Sequence, residues 1–320
     1  MRIFLIIITL ALLSSCKPKI ETEKEVKLDA KELTTAVLAA GKLYRIDSFP
    51  SAFVAPRTVD IWTPENYSED KKYAVVYMHD GQSLFDATTT WNSEEWKVDE
   101  TASQLMKTDS ITEFIVVGIH SISELRHFDY FPRKAFLNLS QKDQDSILNN
   151  VKETKPDFSM ESFKADDYLS FIVNELKPWI DKNYHTSTGI NNNMVAGSSM
   201  GGLISMYAIC EYPSVFGAAA CISTHWPGFM PKEQNPMPEA FFQYLRKNLP
   251  SPKTHRFYFD FGTETLDQYY PQYEIPVNTI FAEKGYSEEN FRNLKFEGTD
   301  HSEASWQKRL DIPFTFLFKK

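Results

Sequence analysis

The stretch Met194-Val195-Ala196-Gly197-Ser198-Ser199-Met200-Gly201-Gly202 constrains this chain more than any other. A short apolar run leads into G-x-S-x-G. Leu203, Met206, Tyr207 and Cys210 then recur at helical spacing on one face. A strand, a sharp turn and a helix are the context in which the central serine of such a motif is lifted above a sheet, with small residues on either side relieving a crowded backbone. The helix that follows aims its free N–H groups and the positive end of its dipole at that point. Ser199 is therefore the candidate nucleophile. The chain has only 12 Gly, so a chance match to the motif is improbable.

Around this turn the chain alternates buried strands and helices. Strands are expected at 42–49, 57–63, 74–78, 114–119, 218–223, 256–261 and 294–296. Helices are expected at 96–106, 166–182 (kinked by Pro178), 239–245 and 273–284, with a last one closing the chain. The first two strands read as an antiparallel pair. The continuous apolar run at 74–78 reads as a strand buried on both faces. The expected class is α/β: a mostly parallel, doubly wound sheet with helices on both faces. Two segments break the pattern, at about 121–164 and 224–255. Long inserts of this kind serve as binding loops or lids.

A serine hydroxyl becomes a useful nucleophile when a histidine takes its proton and an acid orients that histidine. On a sheet of this kind the three come in the order Ser, acid, His. That order removes His79, His120, His127 and His185. His225 follows its strand too closely to leave room for the acid, and His255 reads as a solvated loop residue. His301, after a short strand and a Gly-containing loop, is the candidate base. The acid is expected after the strand at 256–261. Asp260 lies within or at the end of that strand and can face sideways or inward. Asp267 is the preferred acid and Glu264 its rival, both in the loop at the strand's carboxyl end, where sites on open sheets gather. An acyl-transfer site also needs oxyanion donors. The Met200 N–H supplies one. The Gln82 amide in His79-Asp80-Gly81-Gln82 is expected to supply the other, helped by its side chain, with Gly81 letting the backbone turn.

The outer ends carry other signals. Met1-Arg2, the apolar run 3–13 and Leu13-Ser14-Ser15-Cys16 read as a signal peptide ending at a lipidated Cys16, since the run is far short of the ~20 residues that span a bilayer. Residues 17–31 read as a flexible tether and 32–320 as the folded domain. The chain is thus expected to be exported and held at a membrane through a lipid on Cys16. A net charge of −9 argues against nucleic acid as a partner. No H-E-x-x-H, Cys/His cluster or phosphate-binding Gly loop is present, so neither a metal nor another cofactor is expected. Cys210 and Cys221 read as free core thiols.

Taken together, Tyr77 through Asp86, Val117-Gly118-Ile119, Gly197 through Gly202, Tyr258 through Thr263 and Gly298 through Trp306 resemble the putative esterase family of α/β hydrolases, from about residue 42 to the C-terminus. That family includes enterochelin esterases, esterase D, feruloyl and acetylxylan esterases and the mycolyltransferase antigens. The resemblance implies an α/β-hydrolase fold, Ser199 as nucleophile, His301 as base and Gln82 with Met200 as oxyanion donors. In the acid loop the chain departs from many relatives, which carry an Asp soon after G-T where this chain has Glu264-Thr265. Asp80, Arg126 and Trp306 are the candidate substrate contacts. The implied function is hydrolysis of acyl or feruloyl esters on carbohydrate, or of similar small esters. A siderophore esterase is the alternative, and Arg126 and Arg133 are the residues that could help to make its pocket cationic. A peptidase on the same fold and a non-catalytic glycan-binding surface protein are further alternatives.

Overall fold

Within β4 (Ala74–His79), consecutive side chains leave for opposite faces. Val75 and Tyr77 enter one apolar core, and Ala74, Val76 and Met78 enter another. A computed structural model describes residues 28–320, and in it the sheet has nine strands. The others are β1 (Lys31–Glu32), β2 (Lys42–Phe49), β3 (Arg57–Thr63), β5 (Phe114–Ile119), β6 (Asn193–Ser198), β7 (Ala218–Ile222), β8 (Arg256–Gly262) and β9 (Phe291–Phe296). Their order is β1-β2-β3-β5-β4-β6-β7-β8-β9. Pairing is antiparallel from β1 to the β3–β5 contact and parallel from β5 onward.

Helices cover both faces, as the alternating pattern requires. Helices Met200–Glu211, Met237–Asn248 and Pro271–Glu283 bury Leu203, Phe241 and Val277 in the first core. Helices Val98–Lys107 and Asp311–Phe318 bury Ala102 and Phe314 in the second. The helix after Ser199 is more deeply sunk than an amphipathic stripe implies. Every residue from Met200 to Cys210 is buried, because β6 lies mid-sheet and its helix is covered in turn by neighbouring helices.

The fold differs from the sequence expectations in several places. The insert at 121–164 is helical, with Arg126–Asp129, Arg133–Phe136 and Gln141–Lys152. The Ser140 side chain caps the last of these on the Asp143 N–H, and Ile147 anchors it. The segment around Pro178 has a π-helical turn, Ile172–Leu176, between helices Ala165–Phe171 and Lys177–Asn183. This wider turn meets the ring and its missing N–H. Lys31 pairs with Arg45 in β1, so the chain is fixed before residue 32. His255 is buried rather than solvated, with Nε2 2.8 Å from the Pro213 carbonyl. Cys210 and Cys221 are free, and burial pushes both thiols up from their ordinary range. The signal peptide, Cys16 and most of the tether lie outside the described residues.

The strand order matters for chemistry at one point. From β4 the sheet runs to β5 on one side and to β6 on the other, so the carboxyl ends of β4 and β6 diverge into a crevice. Because β4 and β6 through β9 are parallel, the residues following them gather on the same edge.

Candidate active site

Ser199 stands directly after β6 with φ 57° and ψ −120°, a conformation an L-residue rarely adopts. Such strain costs about 1–3 kcal/mol and persists only where the surroundings enforce it. Here three backbone bonds do so. Ser199 N–H donates to Ile222 O at 2.9 Å, and Ser199 O accepts from Leu203 N–H at 3.1 Å and His225 N–H at 3.1 Å. Strand and helix cross so closely that a Cβ on Gly197 would sit 2.8 Å from the Gly201 carbonyl carbon. The two glycines of the motif are there for packing at the kink.

After β8, a short 3₁₀ segment, Thr265–Tyr269, carries Asp267 inward until it is fully buried. Its Oδ1 lies 2.5 Å from His301 Nδ1. Its Oδ2 accepts from the Gly262 N–H at 2.6 Å and the Ser223 hydroxyl at 2.6 Å. Glu264, the rival acid, is exposed, and its backbone N–H is tied to Thr299 O. The structure thus brings Asp267 and His301 together and leaves Glu264 at the surface. The loops after β8 and β9 are also stitched by His301 N–H to Thr265 Oγ1 at 2.9 Å and Gly298 N–H to Thr263 Oγ1 at 2.8 Å.

Behind Asp267 lies a support that sequence reasoning missed. Ser223 Oγ, which donates to Asp267, accepts from Trp306 Nε1–H at 3.0 Å and Arg309 Nη2–H at 3.0 Å. Arg309 is paired with Asp260 at 3.0 Å, and Asp260 also accepts the Ser223 N–H at 3.1 Å. Asp260 therefore faces inward as structure, one of the options open from sequence. Trp306, expected to contact substrate, is only 5% exposed and meets the His301 ring edge-on at 5.0 Å. It holds the imidazole from behind. Ser223 follows a strand end with φ 42°, which no short motif announces.

A second histidine sits at the serine. His225 Nε2–H donates to Phe229 O at 2.9 Å, which leaves Nδ1 to accept the Tyr270 hydroxyl at 2.7 Å. Burial lowers His225 to about 4, so its ring is neutral at pH 7. Tyr270 is buried and lies 6.0 Å ring to ring from His301. No direct hydrogen bond joins Ser199 to His301 among the described residues. Resting geometries of acid–base pairs are commonly loose in this way.

On the β4 side the left-handed residue of the turn is Asp80, with φ 59°, rather than Gly81. Gly81 is needed for close packing, since a Cβ there would come within 2.6 Å of the Gly118 carbonyl carbon. The Gln82 side chain is committed to Ser121, donating to Oγ at 2.8 Å and accepting the Ser121 N–H at 3.1 Å. Only its backbone N–H is left for an oxyanion. Asp80 and Arg126 bind each other, with Nε–Oδ1 at 2.7 Å and Nη2–Oδ2 at 2.8 Å. Burial alone would raise the Asp80 carboxyl, and the guanidinium overrides it and holds it below the ordinary range.

Ser199 opens onto a cavity of about 580 Å³ walled by His127, Phe128, Ile147 and Val151 of the first insert and Phe229 and Met230 of the second. Both inserts line it, as binding loops would. Asp80, Arg126 and Trp306 do not. Asp80 and Arg126 are paired with each other, and Trp306 is bonded to Ser223.

The family model described as Putative esterase matches residues 51–314. An uncharacterized protein of Bacillus subtilis (strain 168), YbbA, is 24% identical over 272 residues, covering 82% of this chain and 93% of its own. Among solved structures, a ferulic acid esterase superposes with a TM-score of 0.61 at 17% identity, covering 87% of this chain and 98% of that one. The enterobactin esterase FES from Shigella flexneri gives 0.58 at 16% identity, covering 88% and 60%. These structures share the fold. By the extent of the family match, the chain belongs to the Putative esterase family and is an ester hydrolase built on an α/β-hydrolase fold.

Proposed function

We propose that the protein is a serine esterase working through an acyl-enzyme. Ser199 turns its hydroxyl toward His301, loses its proton to Nε2 and attacks the ester carbonyl. The tetrahedral oxyanion is held by the backbone N–H groups of Met200, at the open end of its helix, and Gln82. His301 then protonates the leaving alcohol. Water, activated by the same imidazole, releases the acid and restores Ser199. Asp267 keeps Nδ1 protonated, so Nε2 is the nitrogen that takes and returns the proton. The observation that carries this reading is the buried Asp267–His301 bond on the same sheet edge as the strained Ser199 turn.

Acyl or aryl-acyl esters of carbohydrates and similar small esters suit an apolar, aromatic-walled cavity of this size. Siderophore esters are the alternative, although the arginines that could serve one do not line the cavity. Export and a lipid on Cys16 complete the proposal, with loss of membrane attachment in Cys16→Ser as the check.

A fluorophosphonate probe tests the chemistry directly. It should label the wild type at Ser199, label neither Ser199→Ala nor heat-denatured protein, and block p-nitrophenyl acetate hydrolysis in step with labelling. Absence of labelling in folded protein would refute the nucleophile. Product analysis on acetylated xylan, methyl ferulate and a linear catecholate triester would then rank the substrates.

A further inference from the structure

The lining of the Ser199 cavity is opposite in charge to the molecule as a whole. The chain carries 43 Asp and Glu against 34 Lys and Arg, yet the cavity lining includes Lys155 and Lys232 and no carboxylate. One lysine comes from each insert. Lys155 Nζ reaches the Glu124 carbonyl at 3.4 Å and lies 4.8 Å over the Phe128 ring. Neither lysine forms an ion pair among the described residues. Acids lie outside this cavity: Glu124 and Asp157 line an adjoining hollow that Lys155 also borders, and Glu233 and Glu239 line another that Lys232 also borders.

A second observation points to a ligand. His127 lines the same cavity, and its Nε2 is buried with no hydrogen-bond partner. The ring is packed against Phe131 at 5.7 Å and Phe229 at 5.2 Å, so it cannot turn outward without losing both contacts. Burial first, and the nearby Arg126 and Lys155 next, lower it to about 4, so the ring stays neutral. A buried, unpaired ring nitrogen is costly unless something answers it.

Resting on the Ser199 reading, we infer that the cavity selects esters carrying a fixed negative charge near the scissile bond. The anion lies toward Lys155 and Lys232, and an apolar or aryl body lies against Phe128, Phe229 and Met230 beside the His127 ring. Charge at a half-open rim acts through long-range attraction as well as contact, so the preference is salt-sensitive.

Two matched substrate pairs test this, each normalised to its rate of alkaline hydrolysis. The first places charge on the acyl side (p-nitrophenyl hemisuccinate against p-nitrophenyl butyrate). The second places it on the alcohol side (4-acetoxybenzoate against phenyl acetate). At least one pair should favour the anion by about tenfold in kcat/KM at low salt, an advantage that 0.5 M NaCl largely removes. In K155Q/K232Q that advantage should vanish while the neutral partner changes by less than about twofold. Equal or poorer use of both anions, or an equal loss on charged and neutral esters in the double variant, overturns the inference and leaves the esterase reading standing. Failure to cleave any of the four esters overturns the esterase reading itself, and the inference falls with it.

Discussion

Replacing Asp267 by Asn probes the candidate site most sharply, because the structure dictates what the new side chain does. Asp267 accepts on both oxygens, with Gly262 N–H and Ser223 O–H on Oδ2 and His301 on Oδ1. An asparagine has one oxygen and one NH₂. Two buried donors outbid one, so the oxygen faces Gly262 and Ser223 and the NH₂ faces His301. Nδ1 must then accept, which moves the imidazole proton to Nε2 and removes the base from Ser199. The loss expected for such a tautomer switch is about 10³–10⁴ in kcat, or about 4–5.5 kcal/mol of barrier. Steady-state hydrolysis of p-nitrophenyl acetate measures it, with KM nearly unchanged and with circular dichroism to establish folding. Glu264→Gln should stay within about twofold of wild type, since that side chain is at the surface. A folded Asp267→Asn enzyme that keeps more than a tenth of kcat, or a comparable loss in Glu264→Gln, would refute the reasoning.

Other outcomes follow from the same geometry. Ser223→Ala removes the donor to Asp267 and the acceptor for Trp306 and Arg309, so kcat should fall about 10–100-fold and the melting temperature should drop, the buried network having lost about 1–3 kcal/mol. Gly197→Ala drives a methyl to 2.8 Å from the Gly201 carbonyl carbon, and urea titration should show a loss of about 1–3 kcal/mol together with reduced labelling of Ser199. Stability should peak near pH 6.5. Burial depresses His79 to about 3 and His127 and His225 to about 4, so the unfolded chain takes up protons first as pH falls below 6.5 and stability is lost. In the opposite sense, burial and then Glu100 raise Asp99 to about 7, and burial and then Glu100 raise Glu95 to about 7. Folded protein holds those protons up to that point, and its advantage declines as pH rises toward 7. The urea midpoint against pH checks both slopes, and Glu100→Gln should flatten the alkaline one; a midpoint that climbs steadily through pH 8 would contradict the second.

Much of the sheet could be read from the chain because strands buried on both faces, such as Ala74–His79 and Phe114–Ile119, leave unbroken apolar runs. The Ser199 turn was legible for a related reason: its strain demands small residues at fixed offsets. Asp267 and His301 were placed by order along the chain rather than by local pattern, which is why Glu264 stayed a rival until burial separated the two. What escaped was whatever depends on distant partners. Trp306 looked like a cavity residue, yet Ser223, 83 positions away, claims its N–H. Arg126 looked like a substrate cation, and Asp80 takes its guanidinium. His225 and Tyr270 carried no signal, since a neutral histidine beside a phenol is defined by geometry alone. The first insert looked irregular because two of its helices have 4 residues each and the third, Gln141–Lys152, buries only Ile147.

The division of labour between strand ends and inserts has an evolutionary corollary. Reactive groups hang from the rigid sheet edge, whereas the walls that meet the rest of the ligand belong to 121–164 and 224–255. Selection can therefore rewrite those two segments, changing what is admitted, while bond-breaking geometry is inherited intact. A scaffold partitioned in this fashion diversifies by exchanging its vestibule, and homologues of this chain should differ most where the guest is greeted and least where it is cut.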